Sequence, residues 1–366
     1  MKIGIIGTRG IPNHYGGFEQ FAEYVAVHWT EMGHDVVVYN SHNHPYQEPT
    51  YKGVAIRHCY DAEYKLGTAG QFIYDLNCIL DARKQNFDIV LQLGYTSSSI
   101  WSFVMPSKSL VVTNMDGLEW KRTKFKPIVQ KFLLKAEAWA VRYSDALVAD
   151  SIGIQEYLSN KYNATSTFIA YGAEVFHPVA NDALPNYNVE INNYYLLIAR
   201  LEPENNIEVI LDGYIQSASN LPFLVIGNHN TKFGHYLKTK FAAHKNIRFL
   251  GGIYDLQLLN QLRAHCKLYF HGHTVGGTNP SLLEAMGCGT AICAHQNKFN
   301  QSVLLANACY FTDAASIKDL ILSPTTLQQV EVQKQQNRAR IKTAYNWPYI
   351  AQEYINLFEK VLKNKK

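Results

Sequence analysis

Short runs of aliphatic and β-branched residues alternate along this chain with stretches whose apolar positions recur at three- and four-residue steps. In the first half the runs are KIGIIG (2–7), DVVVYN (35–40), VAIRH (54–58), FDIVLQL (87–93), LVVTN (110–114) and DALVA (145–149). Several are apolar on both faces, as strands of a buried parallel sheet are. After the first run, Phe18, Phe21, Ala22, Val25, Trp29 and Met32 line one side of an expected helix that Gly33 ends. The alternation restarts with YYLLIA (194–199), PFLVIG (222–227), IRFL (247–250), KLYFH (267–271) and TAICA (290–294), with helices expected from Asn205, Lys232, Asp255 and Pro280. Between the halves, YGAEVFHPVANDALPNYNVEINN (171–193) is rich in proline, asparagine and aspartate and has little period, which marks a domain boundary. The pattern predicts an α/β chain of two doubly wound, Rossmann-like domains, 1–172 and 173–345. Ile350, Ala351, Tyr354, Leu357, Phe358 and Val361 share one side of a closing helix, about 348–362. The segment 346–366 that contains it is expected to pack back on the first domain. Open α/β sheets bind ligands at the carboxyl ends of their strands, so the site is expected in a cleft where two such ends face each other.

Composition changes this picture little. The 366 residues suffice for two domains, and 47% hydrophobic with 17% charged residues describes a packed globule and not a disordered chain. MKIGIIGTRG breaks into glycines too early for a signal sequence, and no apolar run approaches the length of a membrane span, so a cytoplasmic protein is expected. The six cysteines are scattered without CxxC spacing and read as reduced core residues. The histidines offer only the loose sets His42/His44 and His271/His273, so no metal is expected. A net charge of +4 without a recognised motif argues against nucleic acid.

The richest stretch chemically is HTVGGTNPSLLEAMGCGTAI (273–292), which follows a strand and opens a helix. Asn279 suits the N-cap, Pro280 the first helical position, and Gly276 and Gly277 admit close backbone approach. Free N–H groups at such an entrance form an anion site. Glu284 lies about 6 Å further along the helix, within reach of a ribose attached to a bound diphosphate. The bland alternative is a tight turn followed by a carboxylate favoured by the helix dipole. The segment resembles the signature of glycosyltransferase family 4, in which two glutamates separated by seven residues flank a glycine-rich loop. By that resemblance Glu284 is the glutamate that binds the donor ribose, whereas the position of the first glutamate falls on Gly276. Thr278, Asn279 and backbone N–H groups are the candidates to contact the sugar in its place. ARLEPENN (199–206) resembles the family's donor-phosphate segment: Arg200 matches the arginine that grips the diphosphate, and Asn205 stands where the family has lysine. A surface ion pair with Glu202 or Glu204 is the alternative for Arg200.

In the first half, the Gly16-Gly17 pair resembles the family's loop facing the donor phosphates, with Arg9 nearby; a structural turn is the alternative. VVTNMDGLEWKRTKFKP (111–127) resembles a bacterial branch that includes rhamnosyltransferases, which makes Asp116, Glu119 and Arg122 acceptor-side candidates. An Asx-turn is the alternative for Asp116, and Trp120 reads equally well as core. From Lys121 to Arg142 seven basic residues (Lys121, Arg122, Lys124, Lys126, Lys131, Lys135, Arg142) face one acid, Glu137, with Phe132, Leu133, Leu134 and Trp139 interleaved. That pattern fits peripheral contact with an anionic membrane, or a solvated helix face. The resemblance spans nearly the whole chain and implies the GT-B architecture and hexosyl transfer, usually retaining, without metal or other cofactor. The implied donor is a nucleotide-diphosphate sugar, with rhamnose as the branch-level choice, and the implied acceptor a glycan or lipid-linked oligosaccharide in cell-surface polysaccharide synthesis. Asp116, Arg200 and Glu284 are the candidate catalytic residues, with Gly16, Gly17, Asn205, Gly277, Thr278 and Asn279 on the donor side. A sugar-nucleotide epimerase and a non-catalytic nucleotide-sugar binder remain as competitors.

Overall fold

The computed structural model describes residues 1–14, 16–122, 125–178, 184–323 and 326–365. Lys124 of the basic stretch and positions 179–183 of the boundary segment lie outside the described residues. The chain divides into two compact units, Met1–Lys121 with Phe125–Gly172 and Trp347–Lys366, and Ala173–Asn346 with Arg122–Lys124.

The first unit carries strands β1 (Lys2–Ile6), β2 (Asp35–Ser41), β3 (Thr50–Tyr51), β4 (Val54–Cys59), β5 (Ile89–Leu93), β6 (Leu110–Asn114), β7 (Ala146–Ala149) and β8 (Thr167–Phe168). They form one sheet in the order β3-β4-β2-β1-β5-β6-β7-β8, parallel throughout except for the β3–β4 pair. The second unit carries β9 (Tyr195–Ile198), β10 (Phe223–Ile226), β11 (Ile247–Gly251), β12 (Leu268–His271), β13 (Ile292–His295) and β14 (Cys309–Phe311), all parallel, in the order β11-β10-β9-β12-β13-β14. Counted within the unit this is 3-2-1-4-5-6, the order of the dinucleotide-binding fold. Each apolar run read from the sequence is a strand to within a residue or two. The unread strands, β3, β8 and β14, span two or three residues, too few to show a period.

The strands' apolar faces make the cores. In the second unit Tyr195, Leu197, Phe223, Val225 and Phe270 pack on Ile207, Ile210, Leu211 and Tyr214 of the Ile207–Gln216 helix. In the first unit Ile6, Val37, Tyr39 and Val90 pack on Tyr74, Cys78 and Ile79 of the Gly70–Ala82 helix. None of the six cysteines is joined in a disulfide. No helix among the described residues is long and apolar enough to cross a membrane.

The closing helix, Trp347–Lys365, belongs to the first unit. Its Tyr354 and Phe358 meet Phe21 and Trp29 of the Gly17–Glu31 helix at ring-centroid distances of 5.2–5.9 Å. Trp29 Nε1 donates to the Ala351 carbonyl at 2.9 Å, and Asn114 Nδ2 donates to the Tyr354 hydroxyl at 2.8 Å. Tyr354→Phe leaves that buried amide without its acceptor, so a loss of about 1–3 kcal/mol is expected. The urea midpoint should fall at constant slope, and an unchanged midpoint would show that the bond contributes nothing.

Candidate functional site

In the second unit the strand order reverses between β9 and β12, the place where this topology opens a crevice for ligands. Two loops emerge there, 199–206 after β9 and 272–279 after β12, and they are tied together. Thr274 donates its N–H at 3.2 Å and its hydroxyl at 2.8 Å to the Glu204 carbonyl, and Asn206 Nδ2 donates to the Gly272 carbonyl at 2.8 Å. A Cβ at Gly272 would sit 2.0 Å from the Asn205 carbonyl oxygen, so only glycine allows the approach. Asn205 is buried and its Nδ2 donates to the Arg200 carbonyl at 2.7 Å. Its amide nitrogen therefore closes the loop that presents Arg200, where the sequence had suggested a ligand contact. The Arg200 side chain is exposed and makes no ion pair among the described residues, so the surface pair with Glu202 or Glu204 is absent there.

The Pro280–Cys288 helix begins at Asn279, whose Oδ1 accepts the Ser281 N–H at 3.0 Å. The Leu282 and Leu283 N–H groups reach the Asn279 carbonyl at 3.1 and 3.2 Å, and Pro280 has no N–H. The first-turn donors are thus engaged internally, contrary to the expectation of a free set, and an anion here must draw on the helix dipole, the loop and neighbouring side chains. Gly276 has φ +131° with open space where a Cβ would stand. Backbone strain, not crowding, keeps a side chain away from the position where the resembled signature has its first glutamate. Thr278 is buried.

Glu284 lies on the same helix, and its Oε2 is 2.6 Å from Arg263 Nη2. Arg263 side-chain exposure is 1% and that of Glu284 is 14%. Arg263 Nη1 donates to Asn260 Oδ1 at 2.8 Å, Nη2 donates to Ser281 Oγ at 3.1 Å, and Ser281 Oγ is 2.7 Å from the Tyr269 hydroxyl. Burial works against the guanidinium's charge, and Glu284 together with Tyr269 and Cys288 more than offsets it. The ion pair holds the carboxylate in one orientation at the edge of accessible space. Sequence reasoning missed Arg263 because it reads as an ordinary basic residue in the last turn of the Leu256–His265 helix. Nothing in its spacing reveals a buried partner.

His271 and His273 extend the Tyr269 side of β12. Their rings stack with centroids 4.4 Å apart and planes 13° from parallel. His271 is buried and neither ring nitrogen has a hydrogen-bond partner; nor does His273 Nδ1. Burial, and then the neighbouring His273, hold His271 neutral; burial, followed by the charges of Arg200 and Arg122, lowers His273 to about 3. The His273 carbonyl is fixed by Asn297 Nδ2 at 3.0 Å and Asn300 Nδ2 at 3.1 Å.

In the first unit, Gly16 caps the Gly17–Glu31 helix in extended conformation, and the Gly17 carbonyl accepts the Tyr171 hydroxyl at 2.8 Å. Arg9 is gripped by Glu63 at 3.0 and 2.9 Å. Asp116 follows β6 with φ +49°, a strained state for a non-glycine residue, and its N–H meets Asn114 Oδ1 at 3.0 Å. The Asx-turn at this point is therefore made by Asn114. Glu119 and Trp120 share a short turn, Glu119–Lys121, with Trp120 Nε1 donating to the Tyr157 hydroxyl at 3.1 Å. Glu137, the lone acid of the basic stretch, is buried and bonded by Tyr157, Tyr162 and Lys161 at 2.6, 2.7 and 3.0 Å. Arg122, expected with the first domain, groups with the second unit.

Burial raises the Asp75 carboxyl to about 7, against a 2.6 Å bond from the Ser97 hydroxyl and the charge of Arg9. The folded state therefore holds this proton where the unfolded chain has released it, and this group's contribution to stability declines as pH rises from 3.8 to about 7. Asp75→Asn is expected to flatten the stability profile over that interval. Denaturant midpoints at pH 5 and 8 measure it, and an unaltered slope would mean that another group sets the profile.

Among known proteins, residues 1–174 match the model of a domain of unknown function (DUF1972), and residues 186–346 match that of glycosyl transferases group 1. No curated protein matches the chain. Among solved structures, sucrose-phosphate synthase from Thermosynechococcus elongatus superimposes with a TM-score of 0.81 at 15% identity, covering 99% of each chain. HepE from Anabaena, in complex with UDP and glucose, gives 0.73 at 15% identity over 98% of this chain and 99% of its own. A glycosyltransferase from Rickettsia africae gives 0.73 at 13% over 99% and 98%. The chain has the GT-B fold of two Rossmann-like α/β domains, and the match to the group 1 glycosyl transferases model lies in its second half.

Proposed function

We propose that this chain is a glycosyltransferase that moves a hexose, L-rhamnose by the branch its sequence resembles, from a nucleotide-diphosphate donor to a glycan or lipid-linked acceptor. The carrying observation is the pair of groups at the β9/β12 switch point, an exposed Arg200 without an ion-pair partner among the described residues and a Glu284 locked by buried Arg263. A carboxylate so oriented suits two ribose hydroxyls, and a planar guanidinium suits two phosphate oxygens. HepE has been solved with UDP and with UDP-glucose, which supports a nucleotide-sugar donor here. The acceptor hydroxyl attacks the anomeric carbon while the bond to the diphosphate oxygen breaks. The leaving group takes the electron pair beside Arg200, and the hydroxyl proton passes to a donor phosphate oxygen. Retention follows if attack and departure share one face. Asp116 orients the acceptor, with Glu119 and Arg122 as further contacts, and Gly16 and Gly17 line the phosphates.

Incubating the protein with dTDP-rhamnose and other sugar nucleotides, with and without a glycan acceptor, tests this reading. Transfer with acceptor supports it, and nuclear magnetic resonance of the product reads the anomeric outcome. An epimerised donor without acceptor would instead identify an epimerase. Binding without turnover would favour a non-catalytic binder, the reading that Gly276 and Asn205 motivate.

We also propose peripheral membrane contact through the Pro127–Tyr143 helix in cell-surface polysaccharide synthesis on the cytoplasmic face. Ile128, Trp139 and Tyr143 are exposed there with Lys131, Lys135 and Arg142, and Phe103 of the same unit is 74% exposed. A basic face with apolar side chains suits an anionic leaflet. Failure to sediment with phosphatidylglycerol vesicles at low salt would remove this part.

A further inference from the structure

The stacked histidines have no structural use for their ring nitrogens. A neutral imidazole carries one donor and one acceptor, and leaving such groups unmet in the interior is costly. Three of the pair's four ring nitrogens are buried without a partner, although Asn297 and Asn300 hold the adjoining backbone firmly. The surroundings name the class of ligand. The exposed guanidinium of Arg200 is close enough to depress the titration of His273, and the positive end of the Pro280–Cys288 helix follows the same loop. That helix has committed the N–H groups of Ser281, Leu282 and Leu283 to Asn279, so an anion needs other donors. A metal fits poorly, because stacked rings carry their in-plane lone pairs side by side, and no group of three metal-ligating residues occurs among the described residues.

We propose that His273 is a hydrogen-bond donor to the diphosphate of the bound nucleotide, with its ring plane set by stacking on His271. This rests on the donor-site reading above and adds to it a second phosphate contact beside Arg200, in a site where Asn205 supplies no charge. A neutral ring donates one N–H and carries no charge that would repel Arg200.

Inorganic pyrophosphate tests the contact apart from the nucleoside. Calorimetry on the full chain compares wild type with His273→Phe, which keeps an aromatic ring for stacking and removes both nitrogens, and with Glu284→Gln. His273→Phe should weaken pyrophosphate and UDP or dTDP alike, by about tenfold. Glu284→Gln should weaken only the nucleotides. Pyrophosphate affinity within about twofold of wild type in His273→Phe would overturn the proposal. If Glu284→Gln behaves as expected in that case, the donor site stands without His273. Pyrophosphate binding that depends on His273, without any nucleotide binding, would support the contact and sink the donor reading; no binding of either ligand sinks both. Should His273→Phe fold poorly, the imidazole resonances of the wild type decide. Those of His273 must move when pyrophosphate is added, and fixed resonances overturn the proposal.

Discussion

Glu284→Gln is expected to weaken UDP or dTDP binding by about ten- to a hundredfold, the worth of a charge-assisted hydrogen bond of about 1.5–3 kcal/mol. The substitution keeps side-chain size and removes the charge that accepts from two hydroxyls. It also strips the counter-charge from Arg263, which is 1% exposed and cannot turn to water. Breaking a buried pair by removing one partner costs about 3–5 kcal/mol, so the urea midpoint should fall as well. A second substitution separates these effects. Arg263→Met in the Glu284→Gln background removes the stranded charge and should restore much of the stability while leaving nucleotide affinity low. Nucleotide affinity that returns with stability would mean that Glu284 is only a structural partner of Arg263. Unchanged affinity in Glu284→Gln itself would remove the ribose role directly.

Arg200→Ala should lower kcat/KM by about a hundred- to a thousandfold, the usual consequence of losing a group that stabilises developing negative charge. Stability should not move, since this side chain is exposed and has no ion-pair partner among the described residues. Arg200→Lys should recover part of the loss, because lysine restores the charge without the planar fork. Initial rates with saturating acceptor measure the effect. A rate within about threefold of wild type would show that the leaving group is stabilised elsewhere.

Much of the architecture was readable because its signals are local. The parallel strands announce themselves as runs buried on both faces, and the entrance at Asn279 as an N-cap followed by proline. The Leu327–Ala344 helix was not readable: it has no apolar stripe and buries only Asn337 and Ile341. Parts of the site escaped for a related reason. Asn205 stands at the position of a family cation, yet its amide turns inward to the Arg200 carbonyl. Asn279 was recognised as a cap, but its carbonyl and side chain also take up the N–H groups that had been assigned to an anion.

By itself the sequence determined the two α/β halves, the loops that follow β9 and β12, and the identities of Arg200 and Glu284, because strand period, turn chemistry and motif spacing are properties of neighbouring residues. Only the tertiary structure decided that Arg263, twenty-one positions before Glu284, locks its carboxylate, and that His271 and His273 stack with unmet nitrogens. Those facts depend on which helix packs against which strand. Burial converts an ordinary arginine or histidine into a strong constraint, since an interior charge or imidazole needs a partner that surface residues can take from water.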